Sequence, residues 1–195
     1  MSLSNHESRV LTNRQLAPSA WVRRFLPLIR RGGKALDLAA GGGRHTRLLL
    51  DMGFQVTAVD RDVDVPLALA VPRCTIRQVD LEAGEPWPLD GGYDAIVVTN
   101  YLHRPLFPAI RDALAAGGVL IYETFAAGNE RLGRPSNPDF LLRPGELLDV
   151  CAGLTIVAFE QGEVIDPRPA VIQRIAAING PLGGLPELVL LDNHC

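Results

Sequence analysis

The sequence predicts an α/β protein: a doubly wound, mostly parallel seven-stranded sheet with helices on both faces and an antiparallel hairpin at its C-terminal end. Three observations carry this. Short apolar runs rich in Val, Ile, Leu and Ala alternate with helix-like segments through most of the chain. Glycines and prolines punctuate the joins, where helix must give way to strand. The last two apolar runs, 154–160 and 170–178, are too close together for a crossover helix between them, so they must pair antiparallel.

Residues 19–31 read as the first helix. Ser19 caps it, Trp21, Val22, Phe25 and Ile29 recur at helical spacing, Pro27 kinks it, and Gly32-Gly33 ends it. The first strand is 35–40, short and buried, followed by the turn Gly41-Gly42-Gly43 and a short helix, 44–52, closed by Gly53. The second strand is 54–60. Pro66 and Pro72 limit a short helix within 62–71. The third strand is 74–80, and the fourth, 93–99, is apolar on both faces. Asp94, which opens it, reads as structural. A helix over 106–116 has Pro108 in its first turn and Gly117-Gly118 at its end, and the fifth strand is 119–125. Residues 126–143, dominated by Gly, Asn, Pro and Arg, are a long loop suited to a substrate lid. A helix over 144–152 leads into the hairpin. The chain reads as a single domain over 1–195, with 1–18 as an N-terminal lid or disordered segment. The apolar tail 181–195 is a candidate surface for a partner or a homodimer.

Composition narrows the function. A chain of 195 residues, 47% hydrophobic and 21% charged, suits one folded core. A net charge of −3 argues against a bulk electrostatic grip on nucleic acid. The basic group Arg23, Arg24, Arg30 and Arg31 fits a solvated helix face. No apolar run reaches the ~20 residues of a membrane span. Cys74, Cys151 and Cys195 are odd in number and widely separated, which predicts no disulfide framework, no metal site and a reduced, cytoplasmic setting. The polar start, Met1 to Ser8, lacks the apolar core of a signal peptide.

The chemistry concentrates in the run from Asp37 to Thr46. A glycine turn lets a ligand approach the backbone, and the helix behind it offers free N–H groups. Asp60, ending the second strand, can accept both hydroxyls of a ribose. A dinucleotide fingerprint would have a third glycine where Thr46 stands. Asp37 inside the first strand would be repelled by a pyrophosphate but suits a cationic ligand. A buried carboxylate requires a cationic or donor-rich neighbour.

Asp37-x-Ala39-x-Gly41-x-Gly43 resembles the first motif of class I S-adenosylmethionine-dependent methyltransferases, with Ala39 where the usual pattern has Gly. Val59-Asp60 resembles the second motif, Gln78-Val79-Asp80-Leu81 the third, and Tyr93 to Asn100 the fourth. The resemblance covers roughly residues 20–178. It implies a Rossmann-like sheet with its seventh strand inserted antiparallel beside the fifth. It implies S-adenosylmethionine as cofactor and S-adenosylhomocysteine as product. It implies that Ala39, Gly41 and Gly43 lie under the methionine part, with Asp37 serving its amino group. Asp60 and the adjoining Arg61 would stand at the ribose, Asp80 and Leu81 would frame the adenine, and Asn100 would contact the methionine part and line the substrate side. Gly43-Arg44-His45 and the compact size are similar to small tellurite-resistance or thiopurine-type methyltransferases. His45 reads as a helix-start packing residue.

Methyl transfer is an in-line displacement whose main demands are alignment and exclusion of water. Candidates for the acceptor side must sit just past the fourth and fifth strands: Asn100, Tyr101, His103, Arg104 and Glu123. His103 is a candidate base and Arg104 a candidate anion-binding group. Asn100-Tyr101-Leu102-His103 is not an Asn-Pro-Pro-Tyr run, which argues against amino methylation of adenine bases or glutamine side chains. The expected acceptor is a small molecule. Two other readings use the same sequence: a methyltransferase-like module that binds cofactor or a partner protein without turnover, and a nicotinamide-dependent oxidoreductase.

Overall fold

The computed structural model describes residues 17–62, 71–84 and 87–181. Most of the expected lid, the short helix within 62–71 and nearly all of the tail therefore lie outside the described residues. Seven strands form one sheet: β1 (Lys34–Leu38), β2 (Gln55–Asp60), β3 (Cys74–Gln78), β4 (Tyr93–Thr99), β5 (Leu114–Phe125), β6 (Thr155–Val164) and β7 (Ala170–Ile178). Their order is β3-β2-β1-β4-β5-β7-β6. The first five are parallel, and β7 inserts antiparallel between β5 and β6. This is the doubly wound arrangement expected from the alternating pattern.

Helices cover both faces because the central strands are apolar on both. Leu36, Ile96, Val98 and Leu120 meet α3 (Phe107–Asp112) and α4 (Glu146–Val150) on one face. Ala35, Ala95, Val97 and Ile121 meet α1 (Ala20–Phe25) and α2 (Arg44–Asp51) on the other. Ser19 caps α1 as expected, its hydroxyl accepting from the Trp21 and Val22 amides. Among the described residues no helix is long and apolar enough to cross a membrane.

Three boundaries differ most from the sequence reading. The first helix stops at Phe25 and tightens into a 3-10 turn over Leu26–Leu28, because Pro27 lacks the N–H that would continue it. The helix expected over 106–116 ends at Asp112, and β5 begins at Leu114. The reason is tertiary. Tyr93 N–H donates to Ala113 O, the Asn179 amide group donates to Leu114 O and Ala115 O, and Gly117 N–H donates to Asn179 O. Those partners replace the helical ones. The hairpin strand β6 runs on to Val164, so the connection to β7 is shorter than the sequence suggested.

Gly118 is required where β5 bulges past β4. A Cβ there would lie 2.6 Å from Tyr93 O and 2.9 Å from Ala115 O, both immovable backbone atoms. Gly118→Ala should therefore cost about 2 kcal/mol. Differential scanning calorimetry would read this as a fall of roughly 5 °C in the thermal midpoint.

Candidate active site

In an open parallel sheet, ligands bind beyond the carboxyl ends of the strands where the winding reverses. Here that point lies between β1 and β4, which pair in parallel while the chain leaves them toward opposite edges. Both exits turn through left-handed backbone on residues other than glycine: Ala39 at φ 56° and Asn100 at φ 55°, the two such residues among those described. That conformation costs roughly 1–2 kcal/mol, and it concentrates where surrounding structure holds a ligand site in shape. Ala40 N–H to Val59 O and Asn100 N–H to Glu123 O, each 2.9 Å, supply the hold. Gly41 (φ 53°) and Gly43 (φ 76°) continue the first turn, where Cβ-free backbone leaves the crevice open.

Asp60 fastens this turn to the end of β2. One carboxylate oxygen accepts from the Gly41 amide at 2.8 Å and the other from the Asp62 amide at 3.0 Å. Arg61 is exposed and pairs with Asp62 at 3.4 Å, while its carbonyl accepts from the Gln78 side chain. Asp80, on the next strand end, is exposed and accepts from the Glu82 amide at 2.9 Å. Leu81 is half-buried against the core face that carries α3 and α4.

Asp37 is 1% exposed and points to the opposite face, toward α2. Its donor is the Thr46 hydroxyl at 2.6 Å. Burial raises its pKa to about 6, with the Thr46 hydroxyl and amide pulling the other way. The donor-rich neighbour that a buried carboxylate demands is thus Thr46, the residue that stands where a dinucleotide motif would have glycine. The sequence reading used Thr46 only to argue against that motif and missed it as a partner.

His45 is 2% exposed and holds two segments together. Its Nε2 accepts from the Ser19 amide at 3.0 Å, which leaves the proton on Nδ1, 3.3 Å from Thr99 Oγ1. Burial, with Arg44 and Arg23 adding to it, pushes its pKa down to about 3, so the ring is neutral at physiological pH. Thr99, Glu123, Arg174 and Glu160 form a row of direct cross-strand partners over β4, β5, β7 and β6. This row docks α1. The Ser19 hydroxyl donates to Glu123 at 2.8 Å, the Arg174 guanidinium lies over the Trp21 ring at 4.7 Å, and Arg24 pairs with Glu160 at 3.5 Å.

Five acceptor-side candidates came from the sequence, and the structure separates them. Asn100, Tyr101 and His103 stand together on the turn after β4. Glu123 is taken by Ser19 and Arg174. Arg104 is taken as well. It donates to both oxygens of Glu146, at 2.7 and 2.9 Å, and to the carbonyls of Asp139 and Leu141 at 2.8 and 2.9 Å. Against the upward pull of burial, Arg104 and Arg143 draw the Glu146 carboxyl down to about 2. The loop 126–143 is thereby stapled to the turn after β4. Asn129, buried at its other end, donates to Pro135 O and accepts from Val171 N–H. The loop is thus pinned at both ends, to Arg104 and to β7. Among the described residues no three His, Cys, Asp or Glu side chains converge as a metal site.

The family model described as "Methyltransferase domain" matches residues 10–143. The chain belongs to this methyltransferase family. S-adenosylmethionine is the cofactor of the family. No curated protein matches the sequence. In fold, the chain is similar to a TehB-like SAM-dependent methyltransferase from Corynebacterium glutamicum (TM-score 0.62, 22% identity, covering 88% of this chain and 93% of that one). It is similar to the Burkholderia thailandensis 1,6-didemethyltoxoflavin-N1-methyltransferase, solved with its substrate and S-adenosylhomocysteine (0.65, 20%, 91% and 84%). It is also similar to the N-methyltransferase NodS from Bradyrhizobium japonicum (0.63, 15%, 93% and 100%).

Two outcomes follow from this geometry. The Asp37 pKa is about 6 when folded and roughly 3.9 in an unfolded chain. A raised folded pKa favours the neutral form, so its stabilising effect is full below the unfolded value and is lost as pH rises through about 6. Wild-type stability relative to Asp37→Asn should fall by about 2 kcal/mol between pH 4 and pH 7, measured by denaturant unfolding across that range. Arg104→Ala leaves the buried Glu146 charge with Arg143 alone and should cost about 2 kcal/mol, with limited proteolysis opening first within 126–143.

Proposed function

We propose that this methyltransferase transfers the methyl group of S-adenosylmethionine to a small-molecule acceptor by in-line displacement. The observation that carries the reading is the side-chain-poor turn from Ala39 to Gly43, held open at the sheet's reversal point by Asp60. The residues present fit the cofactor. Asp60 spends one lone pair on the Gly41 amide and keeps others for the ribose hydroxyls. Asp80, one strand further, is free to accept from an adenine amine, with Leu81 against the ring. Ala39, Gly41 and Gly43 offer bare backbone to the methionine part, and Asn100 faces it from β4. Asp37 works from behind the turn: it positions the start of α2 through Thr46, and its charge favours an ammonium or sulfonium nearby.

The bound cofactor supplies an electrophilic methyl on a sulfonium, whose departing thioether is neutral. The protein then has two tasks: to align the acceptor and to exclude water. The wall 126–143, stapled by Arg104 and Asn129, and the turn Asn100–His103 hold the acceptor between them. His103 accepts the proton where the acceptor must lose one. The B. thailandensis neighbour, solved with bound 1,6-didemethyltoxoflavin, supports a small acceptor. So does the absence of Asn-Pro-Pro-Tyr after β4. The same reading sets the protein in the reducing cytoplasm, in keeping with three cysteines that lack any pairing pattern. Thr46 at the third glycine position and Asp37 in the first strand favour this reading over an oxidoreductase.

Isothermal titration of S-adenosylmethionine and S-adenosylhomocysteine into the purified protein tests it. Micromolar binding is expected, weakened by at least about tenfold in Asp60→Ala, a loss of about 1.4 kcal/mol. Absence of binding by the wild-type chain for both ligands overturns the reading.

A further inference from the structure

The sheet has a second opening, at the end opposite the crevice. In a doubly wound fold both faces of the sheet are normally covered by helices and lined by apolar residues. Among the described residues no helix joins β3 to β4, so β1, β2 and β3 lack helical cover on the face that elsewhere carries α3 and α4. The residues at the amino ends of these strands are polar. Leu36 belongs to that face and is in register with Thr57, which is in register with Thr75. Lys34 and Gln55 pair two residues earlier and share the face. Together with Arg73 these side chains line a cavity of about 250 Å³.

No carboxylate lines this cavity. Lys34 and Arg73 are each held by a backbone carbonyl. The ammonium donates to Gly91 O at 3.2 Å, above the Tyr93 ring, and the guanidinium donates to Leu50 O at 3.3 Å. Neither forms an ion pair among the described residues. The nearby acids are occupied or turned elsewhere: Asp94 accepts from Arg30 and from the Lys34 amide, and Asp90 faces the Tyr93 phenol, as Thr57 does. Gln55 and Thr75 are exposed and add an amide and a hydroxyl. In a chain with 22 acidic and 19 basic residues, two cations around a cavity without an acid run against the overall balance.

The donor set indicates the ligand. Ammonium, guanidinium, hydroxyl and amide N–H groups all donate, the first two with full charge, and a tetrahedral oxyanion accepts from all of them. Size narrows the choice. The cavity, about 250 Å³, falls below the roughly 300–1,000 Å³ of sites for drug-sized molecules, so it suits an anion with little attached to it. We propose that the groove between Lys34 and Arg73 binds a phosphate group, at a site separate from the cofactor crevice. The inference does not depend on the S-adenosylmethionine reading.

Isothermal titration of inorganic phosphate and of methyl phosphate, in chloride buffer at fixed ionic strength, tests it. Saturable binding at one site is expected. Lys34→Gln and Arg73→Gln should each weaken it roughly tenfold, and Thr75→Val roughly threefold. Arg73 and Thr75 are exposed, so their variants carry the test if loss of the Lys34 contact with Tyr93 disturbs folding. Arg47→Gln, which removes an exposed charge from α2, should bind phosphate like wild type, and so should Asp60→Ala in the crevice. Tighter binding of the free ion or of the monoester tells which source of phosphate the site takes. Absence of saturable binding of both probes by wild type overturns the proposal. An equal loss in Arg47→Gln also overturns it, since that is general charge screening, as does a loss in Asp60→Ala, which would put the ion in the crevice.

Discussion

Two parallel strands that lie side by side while the chain leaves them in opposite directions cannot both be closed over by their own connections. That constraint, at the carboxyl ends of β1 and β4, makes the crevice and explains what surrounds it. Each exit must turn at once, and each does so on a left-handed residue, Ala39 and Asn100. Those turns are not preferred by the residues that make them. They persist because β2, through the Val59 carbonyl and the Asp60 carboxylate, and β5, through the Glu123 carbonyl, hold them from outside. Asp60 belongs equally to the scaffold and to the proposed ribose site, so cofactor affinity and the shape of the glycine turn are tied to one carboxylate.

Charge is divided by depth. The exposed acids, Asp80 and the upper surface of Asp60, stand where a ligand's donors would arrive. The buried and half-buried ones are committed to the fold: Asp37 to Thr46, Glu146 to Arg104 and Arg143, Glu123 to Ser19 and Arg174. The cross-strand row from Thr99 to Glu160 performs on the α1 face what Arg104 performs on the α3 face, pinning a connecting segment over the carboxyl end of the sheet. His45 completes the row as a neutral ring, because burial and two neighbouring arginines exclude its proton. The crevice is thus preorganised from both sides, as alignment of an in-line displacement requires.

Much of this was legible beforehand. The alternation of apolar runs predicted the layers, and the short gap before 170 predicted the antiparallel pair. The glycine turn and the acids ending successive strands marked the crevice, because ligand contact at a strand end depends on residues adjacent in sequence. Roles that depend on a distant partner were not legible. Ser19 was visible as a helix cap but not as the donor to Glu123, which lies on β5. Arg104 looked like a free cation at a helix start, and nothing local to it announces Glu146. The helix expected up to residue 116 was cut short by Asn179, far along the chain.

The sequence alone determined the fold class, the place of the crevice and the family motifs, since hydrophobic period, turn chemistry and motif spacing are local properties. Tertiary structure decided which polar side chains are spent and which are free. That distinction set Arg104 and Glu123 apart from Asn100, Tyr101 and His103. The physical reason is that a hydrogen bond or ion pair is a property of two groups. Until the chain has folded, no polar residue has yet been assigned its second one.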